Sequence, residues 1–308
     1  MTAGDALRRR FLARAGLVLP DLPLQAIEVA GVTRTFVAVP GPPDAPLLIV
    51  LHGAGGTGLG MAALCGLHER GPAAGCAVVF PDGVAHVWND NRVNAPRLAR
   101  RRGVDDVAFL KALVQHARRT GLADGGRVFA IGISNGGLLA EHVARHGLLE
   151  LAGIVLVAAG ATAGSRAACP APKQTSAFLA FHGTADPLVP YHGGPIGWRG
   201  RRAGRRPGRV TGRGAVAPIE DVASDWSPAT DPGRLPAVER LAQHPGDFPV
   251  DRICWPGASA TAPGPTLYRV IGGGHTWPGG AQYLPTRIVG PVARQLDATG
   301  ITLDFVRA

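Results

Sequence analysis

Lysine is almost absent from this chain: of its 32 basic residues only Lys111 and Lys173 are lysine, and the rest are arginine. Cysteine is sparse as well, with Cys65, Cys76, Cys169 and Cys254 spread over 308 residues. None forms a C-x-x-C pair, and no Cys/His group has the spacing of a zinc site. So thin a set makes no disulfide framework, and free thiols or one or two bridges both fit it. Long apolar runs are missing too. None approaches the roughly 20 residues of a membrane-spanning helix, so no membrane span is expected. Methionine (2) and phenylalanine (9) are few.

What is present is enough for an ordinary core. Hydrophobic residues make up 46% and charged residues 18%, which excludes wholesale disorder. With 44 Gly and 27 Pro the chain has many turns. The net charge is +10, and taken alone it suggests a polyanion partner. Its location argues otherwise. Residues 196–216 hold seven Arg and no acid, and leaving them out lowers the charge from +10 to +3. Leaving out Arg97, Arg100, Arg101 and Arg102 as well brings the remainder to −1. The basic character belongs to two stretches, and the remainder of the chain is nearly neutral. No nucleic-acid fold motif accompanies it, and no nucleic-acid partner is expected.

The N-terminus carries Arg8-Arg9-Arg10-Phe11-Leu12, the look of a twin-arginine export signal. The apolar stretch such a signal needs is interrupted by Arg14, Pro20, Asp21 and Pro23. Export signal and short basic helix both stay open, and with them an extracellular, periplasmic or cytoplasmic location.

Along the chain, Leu24–Val29 and Thr33–Val39 flank Ala30-Gly31 as a hairpin. Short, wholly apolar strands follow at 46–52, 77–81, 127–133, 153–159, 177–181 and 266–271. Between them lie helical spacings, the clearest over Asp105–Thr120, with acids in its first turn and Arg118 and Arg119 in its last. A closing amphipathic helix is expected over Thr286–Ala298. Apolar strands alternating with helices predict an α/β fold with a mainly parallel sheet covered on both faces. The expected organisation is one domain over 1–308, with a basic segment 1–22 and a loop-rich Arg/Gly/Pro insertion at about 194–262.

The chemistry starts at Gly132-Ile133-Ser134-Asn135-Gly136-Gly137, a G-x-S-x-G between a strand and a helix. Glycines at 132 and 136 are read as steric necessities of a tight turn that lifts Ser134 above the sheet. There the hydroxyl can attack a carbonyl, and the Asn135 amide can help hold an oxyanion. A serine nucleophile needs a base and a group to orient it, in the chain order Ser, acid, His. Six histidines follow Ser134. His142 and His146 read as helix-surface residues, and His275, in the glycine-flanked 272–278 loop after the last strand, is the candidate base. Asp186, one short loop past the 177–181 strand, is the candidate acid; Asp221, Asp225, Asp231, Asp247 and Asp251 lie in the insertion. A second oxyanion donor is expected from the Gly53–Gly55 loop, at Ala54 or Gly53, with His52 as a structural residue beneath it. Trp277 and Trp88 are candidates for lining the cleft. Asp105 and Asp106 read as helix N-terminal residues without chemistry.

With these residues in place the chain resembles the secreted poly(3-hydroxybutyrate) depolymerases and feruloyl/acetylxylan esterases (carbohydrate esterase family 1 and its neighbours) of the α/β-hydrolase superfamily. The matching stretches are LHGAGG (51–56), FPDGV (80–84), VDDVAFLKALV (104–114), GISNGGLLA (132–140), FHGTADPLVPYHGG (181–194) and GGGHTWPGG (272–280). The resemblance implies an α/β-hydrolase fold and a Ser134–Asp186–His275 triad. It also implies an oxyanion hole from Asn135 and the 53–55 loop, a polyester or feruloyl/acetyl ester as substrate, and no metal or organic cofactor. The segment between acid and histidine departs from the family's usual one. The alternatives are a serine peptidase of the same fold and a non-catalytic polyanion-binding protein.

Overall fold

The all-apolar strands pack as their composition requires. In the computed structural model, which describes residues 16–92, 104–123, 126–197, 214–228, 235–242, 244–258 and 263–308, β1 (Gln25–Val29) and β2 (Val32–Val39) form the expected antiparallel hairpin. Then follow β3 (Leu47–Leu51), α1 (Gly58–Cys65), α2 (Leu67–Ala73), β4 (Ala77–Pro81), α3 (Asp106–Thr120), β5 (Val128–Ile133), α4 (Asn135–Arg145), β6 (Gly153–Val157), α5 (Ala163–Ala168) and β7 (Ala177–Gly183). A small pair, β8 (Gly194–Pro195) and β9 (Ala215–Val216), precedes α6 (Ile219–Asp225). The chain closes with β10 (Ala237–Arg240), β11 (Val250–Cys254), β12 (Thr266–Val270), α7 (Thr286–Val289) and α8 (Ala298–Arg307).

The main sheet runs β1-β2-β4-β3-β5-β6-β7-β12-β11-β10. From β4 to β12 every neighbour is parallel, and both flanks are antiparallel. The central strands bury every residue because both faces are covered. Alternation splits β3 cleanly. Leu47, Ile49 and Leu51 join α3 and α4 on one face, and Leu48 and Val50 join α1 and α8 on the other. Each such side chain contributes about 1.5–3 kcal/mol on burial. In α3, the Asp105 carboxylate accepts from the Ala108 amide at 2.8 Å, and Gly121 ends the helix in the left-handed region.

Two expectations need correction. The closing helix over 286–298 is not continuous. It stops at Val289 because Gly290 turns to φ 76°, where a Cβ would lie 2.7 Å from the Gly274 Cα, after which Pro291 cannot continue it. The stretch 194–262 is also more regular than its composition suggests. It holds β8, β9, α6 and two strands that extend the main sheet. The basic segments that carry the charge, including 1–15, 93–103 and 198–213, lie outside the described residues. All four cysteines are free thiols. Among the described residues no helix is long and apolar enough to cross a membrane.

Candidate active site

Four loops leave the C-terminal ends of parallel strands and converge: the one after β3, the turn after β5, and the loops after β7 and β12. The β5–α4 turn is the tightest. A Cβ on Gly132 would lie 2.4 Å from the Gly136 backbone, and one on Gly136 would lie 2.5 Å from the Leu51 carbonyl oxygen, so both positions exclude a side chain. Between them Ser134 sits at φ 56°, ψ −123°, a strained conformation for a residue with a Cβ. Its amide still bonds the Val157 carbonyl at 3.0 Å and its carbonyl accepts from Leu138 at 2.9 Å, so the strain is held from both sides.

Ser134 opens into a cavity of about 720 Å³. The walls are mostly apolar, from Leu17, Met61, Leu64, Leu138, Leu188 and Ile196, while His52, Arg92 and His275 supply polar groups. Gly53 lies directly against the nucleophile candidate, since a Cβ there would meet the Ser134 Cβ at 3.3 Å. The loop is pinned by Gly55 donating to the His86 carbonyl at 2.7 Å and Gly56 to that of Gly53 at 2.9 Å. His52 is buried beneath it, accepting at Nε2 from the Gly83 amide at 3.0 Å, with Nδ1 2.8 Å from the Gly53 carbonyl.

His275 is 2% exposed, and its Nδ1 lies 2.7 Å from Asp186 Oδ2. The other Asp186 oxygen accepts from the Leu188 and Val189 amides at 2.8 and 2.9 Å. Burial pushes the Asp186 carboxyl up. The charge of His275 and hydrogen bonds from His182 and His275 outweigh it and hold the group well below the usual carboxylate range. The imidazole's own loop is fixed by its amide to the Val289 carbonyl and by the Tyr283 hydroxyl donating to its carbonyl at 3.0 Å. Among the described residues no cluster of His, Cys, Asp or Glu is arranged to hold a metal ion.

No protein-family model matches the chain. A relative described as "Putative esterase NocK", from Nocardia uniformis subsp. tsuyamanensis, is 31% identical over 292 residues, covering 91% of this chain and 81% of that one. The chain belongs to the esterase family of this relative. Among solved structures, an acetyl xylan esterase from Aspergillus awamori superposes with a TM-score of 0.50 at 14% identity, covering 82% of this chain and 94% of that one. At that identity the likeness speaks to fold.

In this esterase neither tryptophan expected at the cleft lines the cavity. Trp88 is fully buried; its indole N–H donates to the His52 carbonyl at 2.8 Å, and its ring packs on His52 at 4.8 Å between centroids. Trp277 is fully buried on the opposite face of the sheet, donating to Thr299 Oγ1 at 3.0 Å. Both are anchors because an indole N–H taken out of water needs an acceptor, and each finds one inside the core. His142 is likewise buried rather than on the surface. It and His146 approach Ser165 Oγ at 3.1 Å each, because α4 is covered along its whole length. Asp106, the first residue of α3, is a buried partner of Arg34 at 2.6 Å.

Sequence reasoning missed three residues. His182 lies 3.4 Å from Asp186 Oδ2 and bonds the Val189 carbonyl at 2.9 Å; the HGTAD spacing was its signal. Asp90 accepts from the Asn135 side-chain amide at 2.7 Å and pairs with Arg92 at 2.7 Å. Nothing in the local sequence marks that pair, since its role depends on contact across 45 residues.

Proposed function

We propose that this esterase is a serine carboxylic-ester hydrolase working through an acyl-enzyme. The observation that carries the reading is Ser134, held at positive φ on the strand–helix turn, opening with His275 into one largely apolar cavity while Asp186 holds the far side of the imidazole. With Nδ1–H donating its hydrogen bond to the Asp186 carboxylate, Nε2 keeps a lone pair. It takes the Ser134 proton as Oγ attacks the ester carbonyl. The tetrahedral oxyanion is held by the Asn135 amide, at the start of α4, and by Ala54 or Gly53. The Gly55 and Gly56 amides are already engaged within the protein, which supports that choice. His275 then passes its proton to the alcohol, which leaves. Water, deprotonated by His275, attacks the acyl-enzyme, and Ser134 takes its proton back as the acid departs.

The acyl group lies against the aliphatic walls. Polyhydroxyalkanoate-type polyesters and feruloyl or acetyl esters are the substrate classes proposed, from the sequence resemblance. Ser134→Ala should lower kcat on p-nitrophenyl acetate on the order of a millionfold with an unchanged circular-dichroism spectrum. Turnover retained within tenfold would overturn the assignment.

A further inference from the structure

We propose that this site is built for medium-length aliphatic acyl chains and that Leu17 sets the preference. The proposal rests on the ester-hydrolase reading above and narrows its substrate. One wall of the cavity continues straight on from the proposed oxyanion loop. Thr57 caps α1, and from there Gly60, Met61 and Leu64 line the cavity at the spacing of a single helix face. From Thr57 to Leu64 that wall runs about 10 Å at the helical rise. Leu188 and Leu284 add apolar surface from other loops. An acyl carbonyl held between Ser134 and the oxyanion loop therefore starts its chain beside an apolar wall much longer than an acetyl group.

Leu17 completes that wall from outside the sheet and its helices. Among the described lining residues it alone precedes β1. It is the only buried residue between 16 and 33, at 6% exposed where Val18 beside it is 86% exposed. Yet it belongs to neither of the two apolar clusters that cover the faces of the sheet. A leucine withdrawn from water by itself, in a stretch otherwise open to solvent and outside both cores, has its place in the cavity it lines. The stretch is seated by Leu22, which packs against the cluster that holds Met61, as Leu64 does. The segment carrying Leu17 and the cavity-lining face of α1 thus rest on one support. A chain of several methylenes leaves water against this surface, and an acetyl group has almost nothing to bury there.

The test measures kcat/KM for p-nitrophenyl acetate, butanoate and hexanoate, each value normalised to the ester's alkaline hydrolysis rate. A buried methylene is worth roughly fourfold, so hexanoate should exceed acetate by roughly ten- to a hundredfold, with butanoate between. Leu17→Asn, of nearly the same size but polar, should lower the hexanoate-to-acetate ratio by roughly three- to tenfold. Leu17→Met, apolar and of like volume, should stay within about twofold of the wild-type ratio. Each ratio compares two esters on one protein, so a partly unfolded preparation leaves it unaltered. A flat series or an acetate preference in the wild-type enzyme overturns the proposal without any variant having to fold. So does a ratio that Leu17→Asn leaves unaltered or raises. Hydrolysis of none of the three esters instead overturns the ester-hydrolase reading, and this proposal with it.

Discussion

Ser134 shows how much a single residue's conformation can say. A side chain at φ 56° costs about 1–3 kcal/mol, and it persists here because the Gly132 and Gly136 contacts and two backbone hydrogen bonds over-determine the turn. That much was legible in G-x-S-x-G, because the motif encodes its own sterics. The tryptophans were not legible, because a loop Trp reads alike whether it faces substrate or core, and only the position of an acceptor decides. Trp88 found the His52 carbonyl, directly behind the proposed oxyanion loop. Trp88→Phe removes that donor and leaves a buried carbonyl unpaired. We expect a loss of about 1–3 kcal/mol in urea unfolding and a fall in kcat larger than any rise in KM. Unchanged unfolding would contradict the anchoring role.

At the scale of elements, α4 departs furthest from expectation. Its sequence alternates like an amphipathic surface helix, yet every residue from Asn135 to Arg145 is buried. The cover comes from elements distant in sequence. Beyond its helix neighbour Glu141, Arg145 reaches Asp225 on α6 at 3.0 Å and the carbonyls of Cys169 and Pro170. Long-range pairing of this kind leaves no periodic trace. It has a consequence for acid stability. Burial, with a smaller push from His146, lowers the His142 pKa from 6.5 to about 4. Between those values the unfolded chain takes up a proton that the folded chain refuses. Stability is therefore full above about pH 6.5 and falls as pH drops toward about 4, by a contribution on the order of 3 kcal/mol. His142→Gln should flatten that part of the stability–pH curve, measured by urea unfolding at pH 7 and pH 4.5. An unaltered slope would show that another group carries it.

For the whole molecule, the alternation of apolar strands and helices predicted a mainly parallel sheet, because burial on both faces forces continuous apolar runs; the order of its strands comes from the structure alone. The alternation did not give the β11 and β10 extension. β10 is exposed throughout, and β11, though mostly buried, carries Asp251 and Arg252 at its centre, so neither reads as an apolar run. The charge separates from the fold in the same way, since 199–213 holds seven of the arginines and the rest of the chain carries +3. Deleting 199–213 should lower the salt at which the protein elutes from an anionic resin, while hydrolysis of p-nitrophenyl acetate continues. Elution at the same salt would place the binding charge elsewhere.

The central claim is that Ser134 is the nucleophile, and covalent trapping tests it most directly. The protein is treated with diethyl p-nitrophenyl phosphate and the adduct located by peptide mass spectrometry. One diethylphosphoryl group per chain on Ser134, with loss of esterase activity in step with labelling, is the predicted result. Inactivation with the label on another residue, or full activity after complete labelling of Ser134, would contradict it.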